Sequence, residues 1–460
     1  MGAVKIKPTA TIEPTQNKFA TTCKLSTSVS KDTRCTFFEM DSSSIITLAD
    51  VRAAASRIRG HVRVTPCVAS GRLSALTSST LFLKFENLQE TGSFKERGAA
   101  NLLELLRDEE RKRGVVTASA GNHAQAVARH AERLGIAAHV VMPETTPLVK
   151  IMSTRRFGAH VELTGRSYDE AAERASVIAR ERNLVYVHPF DDARVIAGQG
   201  TLGLELLEQQ PDLEAIVVPV GGGGLLAGIA CAVKETAPHV AVYGVESLAF
   251  PGMKRRMETE APPSLRGGKT IADGIAVRHV GSLTTPLVRK YVDDVVLVDE
   301  EEIAEAILVL LEQEKTVVEG AGAVGFAALL QRTLPLAGKK VAVVLSGGNI
   351  DVNLVARIIE RGLVKTGRLT RIELTAPDVA GTLARIADAI AAARANIIEI
   401  EHDRTFSDAE LGETRIELVL ETFGFEHVEK VRAGLLEAGF AANVVGMHAP
   451  PKSLVPRPAR

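Results

Sequence analysis

Lys95 is the residue whose placement calls for a chemical explanation. It lies in "ETGSFKERGA" (Glu90 to Ala99), between an alternating stretch, "LFLKFE", and a helical one, "ANLLELLRDEE". Ser93 followed three residues later by Glu96 reads as a capping box, so the pattern predicts a helix starting at Ser93. Phe94 and Lys95 then fall in its first turn, where the positive helix end disfavours a cation by up to about 1 kcal/mol. A solvated ammonium tolerates this at little cost. A buried lysine is instead driven toward its neutral form, and a neutral amine condenses with carbonyl groups. The other motifs have to decide between the two.

Three turns stand at the ends of apolar segments. "AIVVPV" runs into "GGGGLLAG" (Gly221 to Gly228), "GVVTAS" into "AGNHAQ", and "KVAVVLS" into "GGN" (Gly347 to Asn349). Consecutive glycines let backbone N–H groups approach a phosphate, and a following helix favours its charge. No Lys-Ser/Thr follows the glycines, so none is a P-loop. "GGGGLLA" also fits the GxGxxA pattern of dinucleotide binding, with Glu246 at a suitable distance for a ribose. From that segment alone, NAD and a phosphate monoester stand level. NAD leaves "SFKERG" and "SAGNH" unexplained.

These turns need a frame. From Ile45 to about Val364, apolar strands ("GVVTAS", "AAHVVMP", "HVELTG", "AIVVPV", "VAVYGVE", "KVAVVLS") alternate with helical stretches such as "NHAQAVARHAERLG" and "YDEAAERASVIARERN". That alternation predicts an α/β fold, parallel sheets with helices on both faces. Ligands of such sheets sit beyond the carboxyl ends of the strands, where the three turns lie. After Gly367 the order changes to βαββαβ, which is ferredoxin-like. Leu383, Ile386, Ala387 and Ile390 mark one face of its first helix, and Val428, Val431 and Leu435 one face of its second.

The chain has 460 residues, 45% hydrophobic and 24% charged, with a formal net charge of −1. No global field recruits nucleic acid or an anionic membrane. No Trp, four Tyr and no basic-aromatic stripe argue against nucleic acid, and no apolar run approaches a membrane span. The four cysteines (Cys23, Cys35, Cys67, Cys231) form no CxxC pair, which fits a cytoplasmic setting and indicates no zinc site. Residues 1–44 are rich in Ser, Thr and Lys and lack the apolar core of a secretory signal, so a disordered extension is expected there.

One phosphate and one aldehyde together answer the glycines and the lysine, and pyridoxal 5′-phosphate carries both. The chain resembles the type II pyridoxal-phosphate enzymes, and within them the threonine ammonia-lyase (threonine dehydratase) family. "SFKERGA", "SAGNHAQ", "GGGGL" and "SGGN" match in order, as do "IAGQGT", "DGIAV" and "VEGAGA". Ala126 departs from the glycine often found after "NHAQ". The resemblance spans about Ile45 to His448. It implies a catalytic domain over 45–365, an ACT-like regulatory domain over 369–448 and a tail over 449–460.

It also implies roles. Lys95 holds the cofactor and takes the substrate's Cα proton, with Phe94 beside it. Asn122 bonds the ring 3-oxygen. Ser119, Asn122 and His123 bind the substrate carboxylate. Gly221, Gly222, Gly223, Gly224 and Leu225 cradle the phosphate, and Ser346 faces the pyridine nitrogen. A neutral hydroxyl there weakens the electron sink and favours elimination over transamination. The implied reaction converts L-threonine to 2-oxobutanoate and ammonia, and serine to pyruvate, with an amino-acid effector at the ACT unit and a homodimer or homotetramer as the assembly.

Alternatives stay open. Within the same cofactor class they are a serine racemase, a hydroxyaspartate ammonia-lyase and a β-replacement synthase. Outside it are a NAD-linked enzyme and a non-catalytic amino-acid binder. The similar racemases carry a serine before the Gly of "GNH", where this chain has Ala120, and a methyl group transfers no proton. They also bind a divalent metal through two acids, of which this chain keeps Glu246 but has Gly252 for the second. No metal is expected.

Overall fold

The computed structural model describes residues 46–259 and 268–446. The expected extension over 1–44 and the tail over 449–460 lie outside the described residues. Ten strands precede residue 345: β1 (Cys67–Ala69), β2 (Thr80–Lys84), β3 (Val115–Ala118), β4 (Ala138–Met142), β5 (His160–Leu163), β6 (Val185–Tyr186), β7 (Ala215–Pro219), β8 (Ala241–Ser247), β9 (Asp294–Val298) and β10 (Lys340–Val344). They form two sheets. The larger has the order β1-β2-β10-β7-β8-β9 and the smaller β5-β4-β3-β6. All neighbours are parallel except β1, which runs antiparallel to β2.

The split follows from what each sheet buries. β7 and the inner part of β10 are apolar on both faces, as a parallel sheet with helices on either side requires. β3 and β4 are likewise fully buried, whereas β5 at the edge buries only Val161 and leaves His160 and Leu163 exposed. β1 and β6 are too short and too exposed to carry an apolar pattern of their own.

Three helices set the lysine against the glycine turn: Lys95–Glu104, Ala193–Gln209 and Gly224–Thr236. The middle one packs on both others through "IAGQGT". A Cβ on Gly198 would come within 2.6 Å of the Arg97 carbonyl, and one on Gly200 within 2.7 Å of the Gly228 carbonyl. Only glycine allows these backbones so close.

The lysine helix is also held by buried charge. Arg97 makes paired hydrogen bonds to Glu86 (2.7 and 2.8 Å) and to Glu205 (2.8 and 2.9 Å). Lys84 adds 2.6 Å to Glu205, 2.7 Å to the Thr65 carbonyl and 2.9 Å to Gln209. Such a network is stable because each charge has its partners; removing one strands the others.

The predicted capping box is absent. The helix begins at Lys95, with Phe94 before it and no side-chain cap. Ser93 is instead drawn into an antiparallel bridge with Gly347, and its hydroxyl is buried without a partner. Glu96 turns away to accept from the Thr91 N–H and from Arg129 (2.7 Å). Tertiary pairing has outcompeted the local motif.

Past Gly367 come β11 (Leu369–Pro377), β12 (Asn396–Asp403), β13 (Glu413–Glu421) and β14 (Ala442–Val445), with helices Thr382–Ala392 and Phe425–Glu437 between them. The order β12-β13-β11-β14, all antiparallel, is the expected ferredoxin-like arrangement. Ile372, Leu374, Ile416, Leu418, Ile386, Ile390, Val431 and Leu435 form its core, with Val428 buried beside them. Leu383, expected on the inner face, is 39% exposed, and Thr382 is buried one position earlier. Within the described residues, no helix is long and apolar enough to cross a membrane.

Candidate active site

The carboxyl ends of β3, β7 and β10 open on one cavity of about 490 Å³. The three turns therefore converge from two sheets. Every candidate site residue lines it: Phe94, Lys95, Ser119, Asn122, His123, Gly221 to Leu225, and Ser346.

Backbone bonds place Lys95 beside Ser346. Phe94 N–H donates to the Ser346 carbonyl at 3.0 Å, and Gly348 N–H to the Gly92 carbonyl at 2.9 Å. The lysine turn thus runs alongside "SGGN". The Lys95 ammonium donates to the Pro189 carbonyl at 2.8 Å. Burial lowers its pKa to about 8, with Glu319 opposing. The amine is far easier to neutralise than a solvated lysine.

The glycine turn is packed from behind. Gly222 lies against Phe190, whose ring a Cβ would meet at 2.3 Å, and Gly223 has φ +95° with Met253 and Thr284 on its Cβ side. The Gly224–Thr236 helix follows at once, so its unpaired first N–H groups and its positive end border the cavity. A lysine of lowered pKa, a glycine cradle at a helix start and a buried serine on one wall fit a ligand with an aldehyde, a phosphate and a ring nitrogen.

Asn122 starts the helix Asn122–Leu134. Its Nδ2 donates to Glu319 Oε1 at 2.7 Å, and its Oδ1 accepts from Asn349 Nδ2 at 2.7 Å. Glu319, at 4% exposure, also lines the cavity. Burial raises its pKa to about 7, with Asp273 adding and the Asn122 bond opposing. Sequence reasoning assigned neither Glu319 nor Asn349 a role. The signal available was an acid and an amide inside the matched motifs "VEGAGA" and "SGGN".

His123 follows Asn122 in the first turn of the same helix and is buried. Burial and then Lys95 hold its pKa down at about 3, so the ring is neutral. Nε2 lies 3.1 Å from the Val187 carbonyl, which only accepts, so Nε2 carries the proton. Nδ1 is buried without a partner and has no proton to donate to a carboxylate. Ser119 Oγ accepts from Gly121 N–H at 3.2 Å, tightening the same turn.

Glu246 lies outside this cavity wall. Its two oxygens accept from Met253 and Lys254 N–H groups at 2.8 and 2.9 Å, at the start of helix Gly252–Glu258. Its carboxylate is thus spent on the backbone where a second acid would have stood. His139, His160 and Glu162 cluster at the smaller sheet's edge, apart from the cavity; there Glu162 accepts from Arg174 (2.7 Å) and lies 3.1 Å from His139 Nε2. Cys67 and Cys231 are free thiols, while Cys23 and Cys35 lie outside the described residues.

Comparison with known proteins agrees with this chemistry. Residues 58–347 match the family model for pyridoxal-phosphate dependent enzymes. The L-threonine ammonia-lyase of Thermotoga maritima is 50% identical over 402 residues, 87% of this chain and all of the relative. The processed form of threonine deaminase isoform 2 from Solanum lycopersicum superposes with a TM-score of 0.65 at 36% identity, covering 68% of this chain and 91% of that one. Maize serine racemase gives 0.66 at 35%, covering 69% and 98%. With its lysine, glycine turn and serine gathered on one cavity, this chain belongs to the pyridoxal-phosphate dependent enzymes.

Proposed function

We propose that the protein is an L-threonine ammonia-lyase that also accepts L-serine. The carrying observation is the convergence of Lys95, Asn122, Gly221–Gly224 and Ser346 on one cavity, in a chain 50% identical to a threonine ammonia-lyase over that relative's whole length. Bound there, pyridoxal 5′-phosphate supplies the electron sink that acidifies the substrate Cα–H.

The chain's own residues do the rest. Gly221 to Gly224 and Leu225 hold the phosphate, aided by the helix start behind them. Asn122 donates to the ring 3-oxygen, and Ser346 meets the ring nitrogen as a neutral hydroxyl. Lys95, with its pKa near 8, is matched to removing the Cα proton near neutral pH. The substrate carboxylate is held by Ser119 and by the backbone N–H groups of Asn122 and His123 at the start of the Asn122–Leu134 helix, with the neutral His123 ring walling the site. The α-proton and β-hydroxyl leave as water; the resulting enamine takes water back and releases ammonia and 2-oxobutanoate.

Racemisation requires a second proton carrier opposite Lys95, and the cavity carries Ala120 at the place concerned. The βαββαβ unit is an ACT-like regulatory domain for an amino-acid effector. A cytoplasmic homodimer or homotetramer completes the reading. The test is product analysis with L-threonine, L-serine and hydroxyaspartate, with chiral chromatography of the serine reaction with and without EDTA. Fastest formation of 2-oxobutanoate, with pyruvate but essentially no D-serine, is expected. D-serine accumulating as fast as pyruvate would move the chain to the racemase reading.

A further inference from the structure

The orientation of the Asn122 amide can be traced to a backbone carbonyl that cannot change roles. Thr91 C=O only accepts, so the Asn349 amide atom 2.7 Å from it is nitrogen. That same nitrogen lies 2.7 Å from the Asn122 amide. One of its two N–H groups serves each contact, so the Asn122 atom facing it is the acceptor, Oδ1. Asn122 Nδ2 is then turned toward Glu319 Oε1. One N–H of that nitrogen is used there; the other remains for the cavity. Reversed, Asn122 would set its oxygen against the Glu319 carboxylate.

We propose that Asn349 is a positioning residue that passes the polarity of the Thr91 carbonyl to Asn122, keeping Asn122 a donor toward the cofactor's 3-oxygen, with Glu319 as the second anchor. This rests on the reading that Asn122 meets that oxygen. Glu319 supports it independently: it is buried on the cavity wall, and its Oε1 packs so near Gly347 that a Cβ there would come within 2.4 Å of it. The turn at Gly92 (φ +74°) is equally close-fitted to Asn349, whose Oδ1 a Cβ there would meet at 2.8 Å.

The experiment compares holoenzymes of the parent, Asn349→Leu, Asn349→Asp and Asn122→Ala. The readout is the ratio of the cofactor's visible band, from the ionised 3-oxygen, to its near-ultraviolet band, from the neutral form. Losing an oriented donor to an anionic oxygen should shift that ratio about tenfold toward the neutral form. The shift is expected in Asn349→Leu and in Asn349→Asp, which keeps the shape of asparagine but has no amide donor, with thermal unfolding of the leucine variant close to that of the parent. If Asn122→Ala shifts the ratio and neither Asn349 variant does, Asn349 merely packs and the proposal is wrong. If Asn122→Ala leaves the ratio unmoved, the role of Asn122 itself fails, and the proposal with it. Should the aspartate variant fail to fold, the leucine variant decides.

Discussion

On the open face of the C-terminal sheet, Arg371 pairs with Glu417 at 2.8 Å and Arg415 with Glu373 at 3.0 Å, partly exposed on β11 and β13. Around the lysine helix, Arg97 and Glu86 make the same kind of pair at 1% and 0% side-chain exposure. The two regions use charge differently. In the C-terminal sheet the apolar alternation beneath already fixes the strands, and the ion pairs are screened by water. Beside the cavity the charged network itself fixes the helix that carries Lys95. Perturbed groups follow the same division: Lys95, His123 and Glu319 are all shifted by burial on the cavity wall. On the C-terminal sheet, the partly exposed Asp403 is lowered by the Phe406 and Thr405 N–H groups.

The sharpest way to break this contrast is at Lys95. Lys95→Ala should lower turnover about 10⁴-fold or more and abolish the cofactor's visible band, with circular dichroism unchanged; retained multiple turnover would sink its assignment. The pH dependence has a definite sign. Only the neutral amine captures the aldehyde, so uptake of pyridoxal 5′-phosphate by the apoprotein should rise with pH through about 8 and then level. Stopped-flow absorbance across that range would test it, and a flat profile would contradict the lowered pKa.

Next in size is stability. Arg97→Ala strips Glu86 of its direct ion pair and leaves Glu205 only Lys84, and should cost about 3–5 kcal/mol. Arg415→Ala, removing a partly solvated pair, should cost less than about 1 kcal/mol. Denaturant melts of both variants compare the two regions directly, and equal losses would erase the distinction. Ser346→Asp should raise abortive transamination relative to elimination, because a carboxylate holds the ring nitrogen protonated. Unchanged partitioning between oxo acid and pyridoxamine phosphate would refute the role given to Ser346. The smallest change in basal rate is expected on removing residues after Thr366: activity within about twofold, with the response to amino-acid effectors gone. Calorimetry in which effectors bind the shortened enzyme equally well would count against the C-terminal unit as their site.

Much of this division could be read in advance. Strands such as β3, β4, β7 and the inner part of β10 are buried and mostly apolar, and the βαββαβ order after Gly367 follows its periodicity closely. Lys95, Asn122, the glycine turn and Ser346 sit in local motifs, so their meeting at strand ends was legible too. What escaped depends on contacts distant in sequence. Ser93 carries every local mark of a cap yet pairs with Gly347, 254 positions away. The division into two sheets depends on which strand β2 chooses, and it takes β10. Glu319 and Asn349 gain their roles only by meeting Asn122 from 197 and 227 residues away. The Val187 carbonyl that takes the His123 Nε2 proton likewise has no signature in the chain.

The helix Val352–Lys365 has a mechanical consequence. It starts three residues after Asn349 and ends four before β11, a hydrogen-bonded rod about 21 Å long at 1.5 Å per residue. Arg361 and Lys365 fasten it to Glu301, and Arg368 just beyond is tied to Glu312, both acids on the helix Glu300–Glu314. A rod resists stretching far more than a loop does. The C-terminal sheet is therefore mounted on a stiff arm, not hung from a slack tether. A force that moves β11 must first strain those three ties.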